Sequence, residues 1–363
     1  MFDVGRSSFK RNISGLKVCI ARDERFLEHK TGHFHPEHPK RLDAIYRMLD
    51  KNFGDKITSI NCEPATLEQI ERIHSPEYVK RILKTADQRI TSLAPDTPIS
   101  AGSYFAAWLA AGACIKGIDA LMPNRMASKC DAFFGFVRPP GHHATPDKAS
   151  GFCIFNNIAI AARYAIDHYH LNRILVIDWD IHHGNGIHDI FYSSSDVLYM
   201  STHDLMLFPY TGEIDQAGEG EGVGYTINIP IPRDLTDDDM ICLYDEMLRP
   251  LMKNYAPELV MVAAGFDAHR DDPIGRSRLT EKAYAGITRV LMNLQNTNHN
   301  PPLFFSLEGG YHQRAIAESI KSILAELTGD HTTDISTIQK SRVISELVAR
   351  VKNIHFRYGV LND

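Results

Sequence analysis

The feature that most constrains this chain is a recurring arrangement in which a short apolar, β-branched run ends in a cluster of reactive polar residues. Residues 132–137 lead into Arg138-Pro139-Pro140-Gly141-His142-His143, and 173–177 into Asp178-Trp179-Asp180-Ile181-His182-His183-Gly184-Asn185-Gly186. Residues 197–200 lead into Ser201-Thr202-His203, 259–264 into Gly265-Phe266-Asp267-Ala268-His269, and 303–307 into Glu308-Gly309-Gly310-Tyr311. Further runs lie at 17–21 and 225–231, and helical spacing fills 103–121, 156–169, 237–255 and 281–294. Strands alternating with helices specify a mostly parallel sheet covered on both faces. In such a sheet the carboxyl ends of the strands form the ligand-binding edge. Residues 329–337 read as a linker to a last helix, 338–351, so the expectation is a single domain, 1–363, with a core of about 17–328 and that helix packed on or appended to it.

Composition narrows the function classes. A hydrophobic content of 44% and a charged content of 23% are those of a globular protein, and a net charge of −6 offers no basic field for nucleic acid. The acidic excess suits a cationic substrate. The six cysteines contain no C-x-x-C pair, which reads as reduced thiols in a cytoplasmic protein and assigns any metal to N and O ligands. No run is read as membrane-spanning, and residues 1–17 lack the apolar core of a secretory signal and only weakly match a transit peptide.

The polar ends specify chemistry. A strand turns residues i and i+2 to one face, so Asp180 and His182 can converge on one ion, with Asp267 from another run as third ligand. Three protein ligands and an open position are what a catalytic zinc needs. His142 and His143 follow a rigid Pro-Pro-Gly turn and can move protons, and Tyr311, after two glycines, can donate to a developing oxyanion.

These stretches closely resemble the zinc-dependent histone deacetylase family, which includes acetylpolyamine amidohydrolases and deacetylase-like amidohydrolases. The matching segments are HPEHPKRL (35–42), HSPEYV (74–79), RPPGHHA (138–144), GFCIFNN (151–157), DWDIHHGNG (178–186), GFDAHRDDPIG (265–275) and LEGGY (307–311). The resemblance implies the three-layer α/β arginase/deacetylase fold, with a central, mostly parallel eight-stranded sheet between helices. It makes Asp180, His182 and Asp267 the zinc ligands, a set that ferrous iron also accepts. His142 and His143 become the tandem acid/base pair, with Asp178 orienting His142. Asn185 stands where many relatives carry Asp, which should leave His143 less basic. Tyr311 becomes the oxyanion donor, Phe152 and Phe208 the walls of an acyl-lysine tunnel, the Gly151 carbonyl a contact for the substrate amide, and Asp96 the rim carboxylate that holds the substrate backbone. Arg41 either lines a channel for the released acid or buttresses a loop. Structural potassium is implied at Asp178, Asp180, His182, Ser201 and Thr202, and at Phe191, Ser194, Val197 and Tyr225.

The implied function is hydrolysis of N-acyl amides on primary amines, chiefly acyl-lysine in a protein or peptide. Polyamine-selective relatives place a Glu seven residues after the third ligand; here that position is Ile274, which tilts the reading away from acylated small amines. Acetylpolyamine hydrolysis and non-catalytic acyl-lysine binding are the alternatives, and the oligomeric state is open. Two other features are set aside: the glycine-rich run 218–224 precedes a strand and so does not fit a phosphate loop, and His29, His33, His35 and His38 are irregularly spaced on a rim loop.

Overall fold

A computed structural model describes residues 15–86, 91–122, 129–295 and 300–362; the expectation for residues 1–17 falls largely outside them. Ten strands occur among the described residues: β1 (Val18–Ala21), β2 (Ile57–Ser59), β3 (Ser92–Ala94), β4 (Thr97–Pro98), β5 (Ala132–Gly135), β6 (Ile174–Asp178), β7 (Val197–His203), β8 (Thr226–Pro230), β9 (Leu259–Ala264) and β10 (Leu303–Leu307). Eight of them make one parallel sheet in the order β2-β1-β5-β10-β9-β6-β7-β8, and β3 and β4 form a separate antiparallel pair. The central strands are buried at every position, as continuous apolar runs must be when both faces of a parallel sheet are covered.

The helices are α1 (Lys40–Asn52), α2 (Leu67–Glu71), α3 (Pro76–Leu83), α4 (Ser103–Leu121), α5 (Asn157–Tyr169), α6 (Asn185–Phe191), α7 (Asp237–Asn254), α8 (Glu281–Gln295), α9 (Gln313–Thr328) and α10 (Arg342–His355). Helices α1, α9, α8 and α7 pack side by side, with α10 against α7, while α4 packs on α5 and across β1, β5 and β10. The result is a three-layer α/β fold. Local chemistry fixes the helix starts: Thr66 closes a capping box with Gln69 ahead of α2, Ser75 caps α3 before Pro76, and Thr236 closes a second box with Asp239 ahead of α7.

Helix α4 corrects one expectation. Its 19 residues are long and apolar enough to cross a membrane by length and composition, although no run was read that way. Nearly all of them are buried inside the fold. A Cβ on Gly117 would lie 2.3 Å from the Phe133 ring, so glycine is what lets this helix press onto the sheet. Other differences are local. The last helix begins at Arg342 instead of residue 338, where Ser341 caps it. Strand β7 extends to His203. Strands β2, β3 and β4 and helices α1, α2, α3, α6 and α9 are additional to those expected from the sequence.

Candidate active site

The sheet order makes β5, β10, β9, β6 and β7 consecutive neighbours, so the five polar strand ends meet along one edge. Asp178 closes β6 in register with Ala263 of β9 and Ser201 of β7. Asp180 and His182 lie beyond the end of β6, so strand alternation is not what brings them together. The chain folds back instead: Asp180 Oδ1 accepts the His182 backbone N–H at 2.9 Å and lies 3.0 Å from His182 Nδ1. Asp267 follows β9, and its Oδ2 lies 2.9 Å from the same Nδ1. All three side chains are buried, with ligand atoms within 4.8 Å of one another.

Backbone donors aim the two carboxylates. Gly309 N–H donates to Asp180 Oδ2 at 2.9 Å, and Ile181 N–H donates to Asp267 Oδ1 at 3.1 Å. The approach of β10 depends on glycine, since a Cβ on Gly309 would sit 2.2 Å from Asp267 Oδ2 and 2.5 Å from Asp180 Oδ2. Burial, reinforced by the charge on Asp180, pushes the Asp267 carboxyl up to about 7. Burial alone would raise Asp180 too, but the His142 and His182 imidazoles outweigh it and hold that carboxyl below its usual range. Three buried carboxylates, Asp178, Asp180 and Asp267, meet only two imidazoles there, His142 and His182. The donor set therefore fits a divalent cation with mixed N/O preference.

The tandem imidazoles stand 4.0 Å apart between ring centroids and differ in environment. His142 Nδ1 is 3.2 Å from Asp178 Oδ2, which also accepts the Tyr199 hydroxyl at 3.0 Å. Burial opposes a charge on His142, but Asp180 and Asp178 overcome it and carry its pKa up to about 10. His143 Nδ1 lies 2.9 Å from Asn185 Oδ1. Burial, together with the positive potential of His142 and His182, holds His143 well below the usual histidine value, although the Asn185 hydrogen bond acts the other way.

Aromatic rings wall the approach. Phe152 meets Tyr311 edge-on at 5.6 Å, Phe208 meets His143 at 5.1 Å, and His35 meets Phe152 at 4.7 Å. Gly151 and Phe152 both have positive φ, 54° and 69°, a conformation costly for phenylalanine. The β3–β4 tip holds it in place: Asp96 Oδ2 accepts the Gly151 N–H at 3.0 Å and Thr97 Oγ1 accepts the Phe152 N–H at 3.2 Å. Asp96 thus stands at the rim with its carboxylate already engaged. Of the two roles left open for Arg41, its contacts are those of a buttress. Nε donates to the Gly310 carbonyl at 2.6 Å, Nη2 to the Glu308 carbonyl, and the guanidinium lies 5.0 Å from the Tyr311 ring centre. Ile274 is half-buried, its N–H bonded to Asp272 Oδ1 at 2.9 Å, while Asp272 Oδ2 accepts the Tyr311 N–H at 2.6 Å.

The residues assigned to potassium fall into two places. Ser201 and Thr202 lie beside Asp178 through the β6–β7 pairing, with their hydroxyls on His203 Nδ1 and the Tyr244 hydroxyl. Phe191 and Ser194 are joined by a backbone bond at the start of β7, near Val197, and the Tyr225 carbonyl accepts the Tyr199 N–H. The glycine run packs closely, as a Cβ on Gly222 would lie 2.3 Å from the Tyr192 carbonyl. Among the described residues the rim histidines do not form a convergent donor group; His29 instead bonds Ser103 at 2.7 Å.

Several residues here went unassigned in the sequence. Glu308 is fully buried, its Oε2 accepting the N–H groups of Gly141 at 2.6 Å and His142 at 3.0 Å. Glu37 joins Arg41, Arg138 and His29 in a buried ionic cluster. Asp272 ties the Ile274 turn to Tyr311. Glu308 stands at a polar strand end and Asp272 close after one, but their partners, like those of Glu37, are distant in sequence.

Comparison with known proteins agrees with this arrangement. The histone deacetylase domain model matches residues 35–327. A probable deacetylase of Archaeoglobus fulgidus is 33% identical, over 92% of each chain. Histone deacetylase 10, chloroplastic, of Oryza sativa subsp. japonica is 33% identical over 88% of this chain and 77% of its own. The histone deacetylase-like amidohydrolase of Pseudomonas aeruginosa is 33% identical over 81% of this chain and 77% of its own. The crystal structure of the HDA15 HD domain superimposes with a TM-score of 0.86 at 32% identity, covering 94% of this chain and 95% of that one. This chain belongs to the histone deacetylase family. It is a hydrolase of the deacetylase/amidohydrolase type.

Proposed function

We propose that this protein is a zinc-dependent deacylase of acyl-lysine side chains in proteins or peptides. The observation that carries the reading is the buried Asp180–His182–Asp267 cluster beside two imidazoles biased in opposite directions. Those three residues would hold zinc, which would supply Lewis acidity toward the amide carbonyl and lower the pKa of a water to about 7. His143 Nδ1–H donates to Asn185 Oδ1, which leaves Nε2 with a free lone pair. Being neutral, His143 accepts the proton of the attacking water there and returns it to the amine as the C–N bond breaks. His142, with Nδ1–H on Asp178, keeps its proton and lends positive potential to the developing oxyanion. Tyr311, whose hydroxyl burial and the neighbouring carboxylates hold protonated, donates a hydrogen bond to that oxygen. Phe152 and Phe208 flank an aliphatic chain and exclude water from it.

Ile274 supports a lysine side chain over a polyamine because it offers no charge to a second ammonium. One observation favours the acetylpolyamine alternative: Asp96 is bonded to Gly151 and Thr97, which leaves it fewer lone pairs for a peptide backbone. The test is turnover of zinc-loaded protein on an acetyl-lysine peptide and on acetylputrescine, with Tyr311→Phe as control. Peptide preference is expected, with turnover about 10²–10³ lower in the variant. Acetylputrescine preference would overturn the substrate assignment, full activity of Tyr311→Phe the oxyanion assignment, and no activity on either substrate the catalytic reading as a whole.

A further inference from the structure

Beside His142, next to the proposed zinc ligands, lies another convergence of donors. Cys153 and Glu308, both fully buried, and His142, only 3% exposed, bring ligand atoms within 4.8 Å of one another. The Glu308 carboxylate is half-used: Oε2 accepts two backbone N–H groups, while Oε1 is buried with no partner. The His142 ring is the cation that acts on this carboxylate, and among the described residues no guanidinium reaches it. The Arg41 guanidinium reaches the Glu308 backbone carbonyl, and Arg138 is bonded to Glu37 and to the carbonyls of Phe26 and His29. The Cys153 thiol has backbone company, donating to Gly151 O at 3.3 Å and lying in reach of the His143 backbone. His142 Nδ1 is taken by Asp178, which leaves Nε2, itself 3.8 Å from Asp180 Oδ2.

We propose that His142, Cys153 and Glu308 form a second metal site, adjacent to the first, selective for a thiophilic divalent ion such as zinc. Imidazole, thiolate and carboxylate are all zinc donors, with bond lengths of about 2.0–2.3 Å that put tetrahedral donors about 3.3–3.7 Å apart. The set must close by about 1 Å from its widest separation, which rotation of Cys153 and the unengaged Glu308 Oε1 allows. Charge balances: a thiolate, a carboxylate and a neutral imidazole offset a divalent ion. Binding releases the thiol proton and, where His142 is charged, its Nε2 proton to solvent. Occupancy withdraws His142 from the electrostatic role given it above, so the second ion inhibits. That consequence rests on the proposed function; the site itself does not.

Cobalt(II) titration of the metal-free full-length protein tests the site, because a thiolate ligand gives a sulfur-to-cobalt charge-transfer band that N/O ligands lack. Two equivalents are expected to bind, the band rising with the second. Cys153→Ser should abolish the band while keeping the first equivalent, and Glu308→Gln, which keeps the side-chain shape, should lose the second equivalent. Asp267→Asn should lose the first equivalent and keep the band, which separates failure of this site from failure of the proposed catalytic centre. A single equivalent without the band, or a band that survives Cys153→Ser, would overturn the proposal.

Discussion

Two buried clusters of charge lie on the same side of the sheet, and they are balanced differently. Around Glu37, one carboxylate meets two guanidinium groups and a histidine, all essentially inaccessible. Burial would raise the Glu37 carboxyl, but Arg138 and His29 hold it well below the usual range. Around Asp180 and Asp267, three carboxylates, counting Asp178, meet two imidazoles, His142 and His182, and Asp267 drifts up to about 7. The Glu37 carboxylate meets more cations than it needs, so that cluster works as structure, pinning the segment before α1 to the strand end that carries Arg138. An excess of carboxylates is incomplete until a cation arrives, so it works as a site. Hydrogen bonding separates Arg41, whose Nη1 meets Glu37 at 3.0 Å, from Glu308, whose buried Oε1 has no partner.

The comparison breaks if removing an anion has the same consequence in both places. Asp267→Asn should abolish metal binding at the first site and drop turnover below about a thousandth of wild type, because the several kcal/mol of charge stabilisation supplied by the ion are lost. Metal-free protein should keep or gain thermal stability in that variant, since a buried carboxylate has been neutralised. Metal content by elemental analysis, with thermal melts of the metal-free form, reads both. Glu37→Gln should do the reverse. It strands Arg41 and Arg138 and should cost about 3–5 kcal/mol of folding stability, read by urea unfolding, while metal stoichiometry is unchanged. Equal losses of stability in the two variants would erase the distinction.

A smaller effect sharpens it by pH. His74 is 1% exposed; Nε2 accepts the Asn156 N–H at 2.9 Å, so Nδ1–H donates to the Thr145 carbonyl at 3.0 Å. Both nitrogens are used by a neutral ring, and burial lowers its pKa to about 4. A depressed histidine contributes stability that is fully present above its unfolded value of about 6.5, declines as pH falls, and is gone below about 4, a difference of about 3 kcal/mol. His74→Gln preserves one donor and one acceptor and cannot titrate. Its unfolding free energy should therefore fall less steeply than that of wild type between pH 6.5 and 4, in urea titrations across that window. Identical slopes would mean that His74 does not titrate with folding.

The sites differ equally in how far they could be read from the chain. The candidate metal centre was legible because its parts lie at the ends of buried parallel strands, where an apolar run stops abruptly at Asp178 or Gly265. Strand β2 was not, because Ile57-Thr58-Ser59 is a half-exposed edge with no apolar run. Helix α1 was hidden by its own start: the segment opens in prolines and histidines, and its apolar stripe of Leu42, Ile45, Tyr46 and Leu49 comes only afterwards. The Glu37 cluster and the Glu308 bonds could not be read at all. Each depends on residues distant in sequence, Glu37 on Arg138 and Glu308 on Gly141, which only the sheet order brings together. The direction of the Asp180–His182 approach was misattributed for a related reason, since a loop that folds back on its own carboxylate leaves no periodic trace.

The smallest effect concerns the residue on which the two histidines of the tandem diverge. His142 faces a carboxylate and is held charged; His143 faces the amide oxygen of Asn185 and is held neutral. Asn185→Asp replaces that amide with a charge at the same 2.9 Å, which must favour the protonated ring. A base is active only when deprotonated, so the acidic limb of the pH–rate profile should move to higher pH, by about one unit for a single partly buried ion pair. Turnover below the new midpoint should fall by up to about tenfold, while the rate above it and the metal content stay close to wild type. The readout is kcat/KM on the acetyl-lysine peptide across pH, with Asn185→Ala alongside to separate added charge from a lost hydrogen bond. An unchanged limb in Asn185→Asp would mean that His143 is not the base, and the opposed bias of the two rings would then be structural, like the cluster around Glu37.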